Sequence, residues 1–180
     1  MISYLVQKRC RSKHNFEGAA VDRLALPKST SYLSCMVVHI VHGINLGQLG
    51  TRQPEIYGSL RLEDQIPVLQ TWLDAHFGGT ELRSFQSDDE GALCAYLAQH
   101  DGSESVFLIN PGAFTHTSIA LRDAVATLTS PIIEVHLSHT YARESFRRAS
   151  LIAPYTRGTI SGLGWLGYRL AIEGLLVAGS

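Results

Sequence analysis

The chain's 180 residues suffice for one domain with a sizeable buried core, and a hydrophobic share of 45% against 17% charged residues excludes a disordered polymer. A formal net charge of -1 leaves no electrostatic footprint for nucleic acid, so the expected partner is a small molecule. The most apolar stretch, residues 163–178, is interrupted by Arg169 and Glu173 and falls short of a membrane span.

Six basic and two acidic residues stand in the first 34 positions, against nine and fourteen in the remainder. This basic leader lacks the sustained amphipathic pattern of a transit peptide and reads as a disordered extension before a single domain at 35–180. Cys10, Cys35 and Cys94 are too widely spaced for a CxxC motif and read as reduced, inert thiols of a cytoplasmic protein.

After Cys35, short apolar runs alternate with helical periods. Residues 36–41 predict a first buried strand. Leu62, Ile66, Leu69 and Leu73 then mark one buried helix face, with Pro67 either pushing the helix start toward Glu63 or kinking it. Residues 81–86 and 105–109 predict the second and third strands; Leu121, Val125 and Leu128 predict another helix. Strands four and five are expected at 131–136 and 157–161, and a last helix at 164–177. Such alternation means a parallel sheet with helices on both sides, and ligands of these sheets bind beyond the carboxyl ends of the strands.

The unusual polar residues fall at those ends. Strand one leads into His42-Gly43-Ile44-Asn45 and a long loop to Tyr57, strand three ends at Asn110, and strand four ends in Glu134-Val135-His136 before Ser138. Arg52 stands five residues before Tyr57 in a glycine-bounded loop, which points to a phenol of tuned acidity, although a lone Arg-x4-Tyr also fits an ordinary amphipathic loop. A strand-end histidine at 136 fits structural hydrogen bonding as well as proton transfer. Asn110 before Pro111-Gly112 fits a turn, and Thr115 fits a helix cap with His116 in the first turn. Arg147 beside Arg148 fits surface charge, and Asp123 a solvated helix position. His136 and His139 lack further ligands at metal-site spacing, and residues 158–167 lack a phosphate-loop lysine or dinucleotide fingerprint, so neither metal nor cofactor is expected.

Four segments carry a family resemblance: residues 49–58 (LGTRQPEIYG), 110–118 (NPGAFTHTS), 121–124 (LRDA) and 134–138 (EVHLS). In this order they resemble the type II 3-dehydroquinate dehydratases, flavodoxin-like enzymes of aromatic biosynthesis or quinate breakdown. The resemblance spans residues 36–174 and implies a doubly wound five-stranded parallel sheet in the order 2-1-3-4-5 with helices on both faces. It also implies a hydro-lyase that removes water from 3-dehydroquinate by anti elimination through an enolate, without metal or cofactor, and a homododecamer built from trimers.

Each role follows from that likeness. Tyr57 matches the base; an ordinary tyrosine, with a pKa of about 10, is almost fully protonated at neutral pH, and bringing it close to neutrality takes roughly 3 to 4 kcal/mol of preference for phenolate. Arg52 matches the cation that supplies this preference, because it never competes for the proton. His136 matches the general acid, with Glu134 two residues earlier on the same side of the strand to hold the ring's tautomer. Asn45 matches the asparagine that stabilises the enolate. Asn110 and Ser138 match groups for the substrate carboxylate, His116 and Arg147 match groups for ring hydroxyls, and Leu137 completes the contacts. Asp123 matches a residue that reaches a neighbouring subunit's site.

Three departures stand out. His42-Gly43-Ile44-Asn45-Leu46 replaces the family's Asn-Gly-Pro-Asn-Leu, His139 replaces the asparagine after Ser138, and Ala149-Ser150-Leu151 replaces His-Ser-Tyr. They keep open a second reading, a catalytically silent flavodoxin-like protein that binds a quinate-like ligand.

Overall fold

The computed structural model describes residues 36–51 and 59–177. Five strands, β1 (Val37–His42), β2 (Glu81–Gln86), β3 (Ser105–Asn110), β4 (Ile132–His136) and β5 (Gly158–Ser161), form one parallel sheet in the order β2-β1-β3-β4-β5. This is the order that the resemblance implied. The central strands β1 and β3, VVHIVH and SVFLIN, are buried along nearly their whole length, as apolar strands covered on both faces must be. β1 ends one residue later than the sequence predicts and takes His42 into the sheet.

Helices α1 (Leu62–His76), α2 (Glu90–His100), α3 (Phe114–Thr117), α4 (Ile119–Thr127) and α5 (Gly164–Val177) supply the covering layers. Leu69 and Leu73 of α1 and Tyr168, Ala171, Ile172, Leu175 and Leu176 of α5 pack with Val38, Ile40, Val106, Leu108 and Val135. Leu93 and Leu97 of α2 and Leu121 and Val125 of α4 pack with Val41, Phe107, Ile109 and Ile132 on the other face. Alternate residues of each strand thus serve opposite cores. α1 starts at Leu62 and carries Pro67 in its second turn. Two helix starts are capped by side chains: Asp89 Oδ1 accepts from Ala92 N at 2.6 Å, and Ser118 Oγ accepts from Leu121 N at 2.8 Å.

Register decides where chemistry can occur. His42 lies opposite both Gln86 and Asn110, and His136 opposite Ser161, so the carboxyl ends of the strands stand level. The chain leaves β1 toward β2 on one side and returns to β3 on the other, which makes the β1/β3 boundary the switch point. Among the described residues no helix is long and apolar enough to cross a membrane.

Candidate active site

A cavity opens at that switch point. Of the residues predicted from sequence, Asn45, Asn110, His116, His136, Leu137, Ser138 and Arg147 all line it. Four separate segments therefore converge on one space, as loops after parallel strands can.

Its floor is set by a close crossing of two loops. Gly43 N donates to Asn110 O at 2.8 Å, and a Cβ on Gly43 would sit 2.2 Å from the Pro111 carbonyl oxygen. Gly112, with φ 61°, packs equally tightly, since its Cβ would lie 2.6 Å from the Ile44 carbonyl oxygen. Only glycine permits this approach at both positions. Two residues on, Asn45 adopts a left-handed conformation with φ 67°, and its N–H donates to Asp88 Oδ1 at 2.8 Å. Gln86 Nε2 donates to the same carboxylate oxygen at 2.9 Å.

The wall carries a buried carboxylate–imidazole pair. Glu134 is fully buried, and its Oε1 accepts from His136 Nε2 at 2.7 Å. Ser150 Oγ donates to Glu134 Oε2 at 2.8 Å, and Thr115 Oγ1 donates to Oε1. Burial alone would raise the Glu134 carboxyl, but the hydrogen bond and charge of His136, with the two hydroxyls, outweigh it and hold the carboxyl below its usual range. A carboxylate can only accept, so Nε2 keeps its proton and Nδ1 becomes the nitrogen that gains or loses one.

Ligand-facing groups surround the pair. His116 Nδ1 donates to the Ala149 carbonyl at 2.6 Å, which leaves Nε2 for a ligand. Arg147 Nε donates to Glu144 Oε2 at 2.7 Å, and its guanidinium lies 4.9 Å from the Phe146 ring centroid, so the head is held in place. Asn110 Nδ2 donates to Tyr168 Oη at 2.9 Å, and Asn110 Oδ1 accepts from Gly112 N at 3.3 Å.

Residues 36–176 match the family model described as dehydroquinase class II. The chain belongs to the class II dehydroquinase family. The 3-dehydroquinate dehydratase of Roseiflexus castenholzii is 50% identical over 141 residues, covering 78% of this chain and 88% of its own. That of Prochlorococcus marinus is 48% identical over 138 residues, covering 76% and 91%. The crystal structure of the type II dehydroquinase from Propionibacterium acnes superposes with a TM-score of 0.74 at 36% identity, covering 78% of this chain and 95% of that one. The corresponding enzyme from Butyrivibrio crossotus gives 0.74 at 35% identity, covering 78% and 97%.

Not every predicted residue of this class II dehydroquinase stands in the cavity. Arg52 and Tyr57 lie outside the described residues. Glu134 sits behind His136, bonded to its Nε2, and does not line the cavity. Asp123 is exposed on α4, pairs with Arg122 Nη2 at 2.6 Å, and does not line its own chain's cavity. Sequence reasoning passed over Asp88, Ser150 and Tyr168 and read Thr115 only as a cap. A polar residue two positions beyond β2 was the available signal for Asp88; the others are revealed only by contacts across the fold. Among the described residues no three His, Cys, Asp or Glu side chains gather as a metal site would require.

Proposed function

We propose that this class II dehydroquinase removes water from 3-dehydroquinate to give 3-dehydroshikimate, the dehydration step of the shikimate pathway. The observation that carries the reading is the buried Glu134–His136 pair opening onto a cavity whose other polar groups suit a carboxylated polyol. The Tyr57 phenolate, held ionised by Arg52, takes the proton next to the ketone, and the electron pair of that C–H bond moves into an enolate. Asn45 donates to the enolate oxygen as its charge develops. The enolate then collapses, the C–O bond breaks, and His136 Nδ1–H protonates the departing hydroxyl to give water. Solvent returns a proton to His136 and removes one from Tyr57, so no other reactant is consumed. Asn110 and Ser138 hold the carboxylate, His116 and Arg147 the ring hydroxyls, and Leu137 the ring face.

The same reading makes residues 35–180 the catalytic domain of a cytoplasmic enzyme, with residues 1–34 outside it. It also makes the assembly a homododecamer built from trimers. The outward position of Asp123, away from its own cavity, supports its contributing to a neighbour's site. Light scattering on the purified protein tests this, and a fully active monomer would overturn the shared site.

The test of activity follows the conjugated product by absorbance. Wild type turns over, while Tyr57→Phe and His136→Ala each lose on the order of a hundredfold or more in kcat. Wild-type turnover by Tyr57→Phe would remove Tyr57 as base. Calorimetric binding of 3-dehydroquinate by wild type without product would establish the silent binding protein instead.

A further inference from the structure

We propose that Tyr168 is a positioning residue for substrate binding, anchoring the Asn110 amide so that one N–H is spent on the phenol and the other is left for the substrate carboxylate. The inference rests on the dehydratase reading and concerns a helix that contributes nothing directly to the cavity.

The buried face of α5 consists of Gly167, Tyr168, Ala171, Ile172, Leu175 and Leu176. Tyr168 carries the one polar side-chain atom of that set, and the residue is fully buried. If packing were the only requirement, phenylalanine would fill the space without the cost of desolvating a hydroxyl. The hydroxyl oxygen meets Asn110 Nδ2 at 2.9 Å, and Asn110 itself is 3% exposed. The ring packs against two others: His42 stacks on it with centroids 5.6 Å apart, and Trp165 lies 4.7 Å away.

This anchor matters because the terminal torsion of asparagine is broad and nearly two-fold. Among the described residues Oδ1 is held by Gly112 N alone, at 3.3 Å, a long bond that sets which way round the amide sits. Without the phenol oxygen the amide loses its second anchor and swings about that torsion, so that its N–H no longer points at the carboxylate. With it, Nδ2 faces inward and the remaining N–H is committed to the ligand. The contact holds in the ground state and the transition state alike, so its signature belongs in KM.

Tyr168→Phe keeps the ring and removes the oxygen. KM for 3-dehydroquinate rises roughly fivefold or more while kcat stays within about twofold. Tyr168→Leu, a second variant lacking the hydroxyl, carries the same expectation. In an Asn110→Ala background, Tyr168→Phe adds no further rise, because the phenol acts only through that amide. Trp165→Phe, which disturbs the stack but keeps the phenol, lowers the melting temperature and leaves KM unchanged. An unchanged KM in Tyr168→Phe, an equal rise in both Asn110 backgrounds, or an equal rise in Trp165→Phe overturns the inference. Absence of wild-type turnover overturns the dehydratase reading and this inference with it, whereas turnover with an unchanged KM in Tyr168→Phe overturns this inference alone.

Discussion

Glu134 Oε1 and His136 Nε2 stand 2.7 Å apart, and the same carboxylate takes hydroxyl bonds from Thr115 and Ser150. The histidine is therefore oriented from behind by a charge that is itself fully hydrogen-bonded. That arrangement keeps the proton on Nε2 and leaves Nδ1 free for the exchange that the proposed mechanism assigns to it.

Glu134→Gln preserves size but removes the negative charge. On the proposed mechanism turnover falls on the order of tenfold to a hundredfold with little change in KM, because an amide is a weaker acceptor for Nε2–H than a carboxylate and holds the ring less firmly in place. Wild-type kcat in Glu134→Gln would contradict the role given to Glu134.

Ser150→Ala removes one of the bonds that hold the buried carboxylate. Ser150 Oγ also accepts from Ala153 N at 2.9 Å, so the substitution strips a partner from the segment between β4 and β5 as well. Stability drops by about 1 to 3 kcal/mol, the range for leaving buried polar groups unpaired. Chemical denaturation checks this, with kcat measured alongside, since the histidine loses part of its support.

His42 is fully buried, and neither ring nitrogen has a hydrogen-bond partner among the described residues. Burial lowers its pKa from 6.5 to about 3. As pH falls below 6.5 the unfolded chain takes up the proton first, so the stability tied to neutral His42 is complete above that value and declines toward pH 3. The loss reaches about 2 kcal/mol by pH 5. His39, lowered to about 4 chiefly by burial, adds a slope of the same sign. His42→Phe gains in melting temperature over wild type, and gains more at pH 5 than at pH 7; an equal difference at both values would show that His42 does not titrate as described.

Much of this architecture was legible in the chain because strands buried on both faces read as unbroken apolar runs. β2 was placed at its observed limits, and β3, β4 and β5 to within one residue. Helix α2 was not marked by a repeat, since Ala92, Leu93, Cys94, Ala95, Tyr96, Leu97 and Ala98 are apolar or small on every side and show no 3.6-residue period. The cavity residues could be named from segments that stay together in sequence, such as 134–138. Their supports could not: Tyr168 reaches Asn110 across 58 residues and Asp88 reaches Asn45 across 43, and no local pattern encodes such pairings.

The crossing of Gly43 and Pro111 predicts an intolerant position. A methyl group on Gly43 would overlap the Pro111 carbonyl oxygen at 2.2 Å, and both partners are backbone at the ends of central strands, with no flexible side chain to move aside. Gly43→Ala therefore costs about 1 to 3 kcal/mol or more of stability and separates the loops that carry Asn45 and Asn110, raising KM and lowering kcat together. Thermal unfolding at wild-type temperature would show that the loops do not approach so closely.

Asp88 offers a cleaner separation of activity from stability. Asn45 is the one non-glycine residue with positive φ among the described residues, and Asp88 accepts its N–H at 2.8 Å while gripping Gln86 as well. The conformation is sparsely populated for residues with a side chain, so losing the acceptor frees Asn45 to leave it. Because the bond is exposed, Asp88→Ala costs no more than about 0.5 to 1.5 kcal/mol in stability. On the proposed mechanism Asn45 faces charge that develops only during reaction, so kcat falls roughly tenfold or more with KM little altered. Asp88→Asn retains an accepting oxygen and restores most of the rate. Equal kcat in wild type and Asp88→Ala would mean that Asn45 keeps its geometry without help from the end of β2.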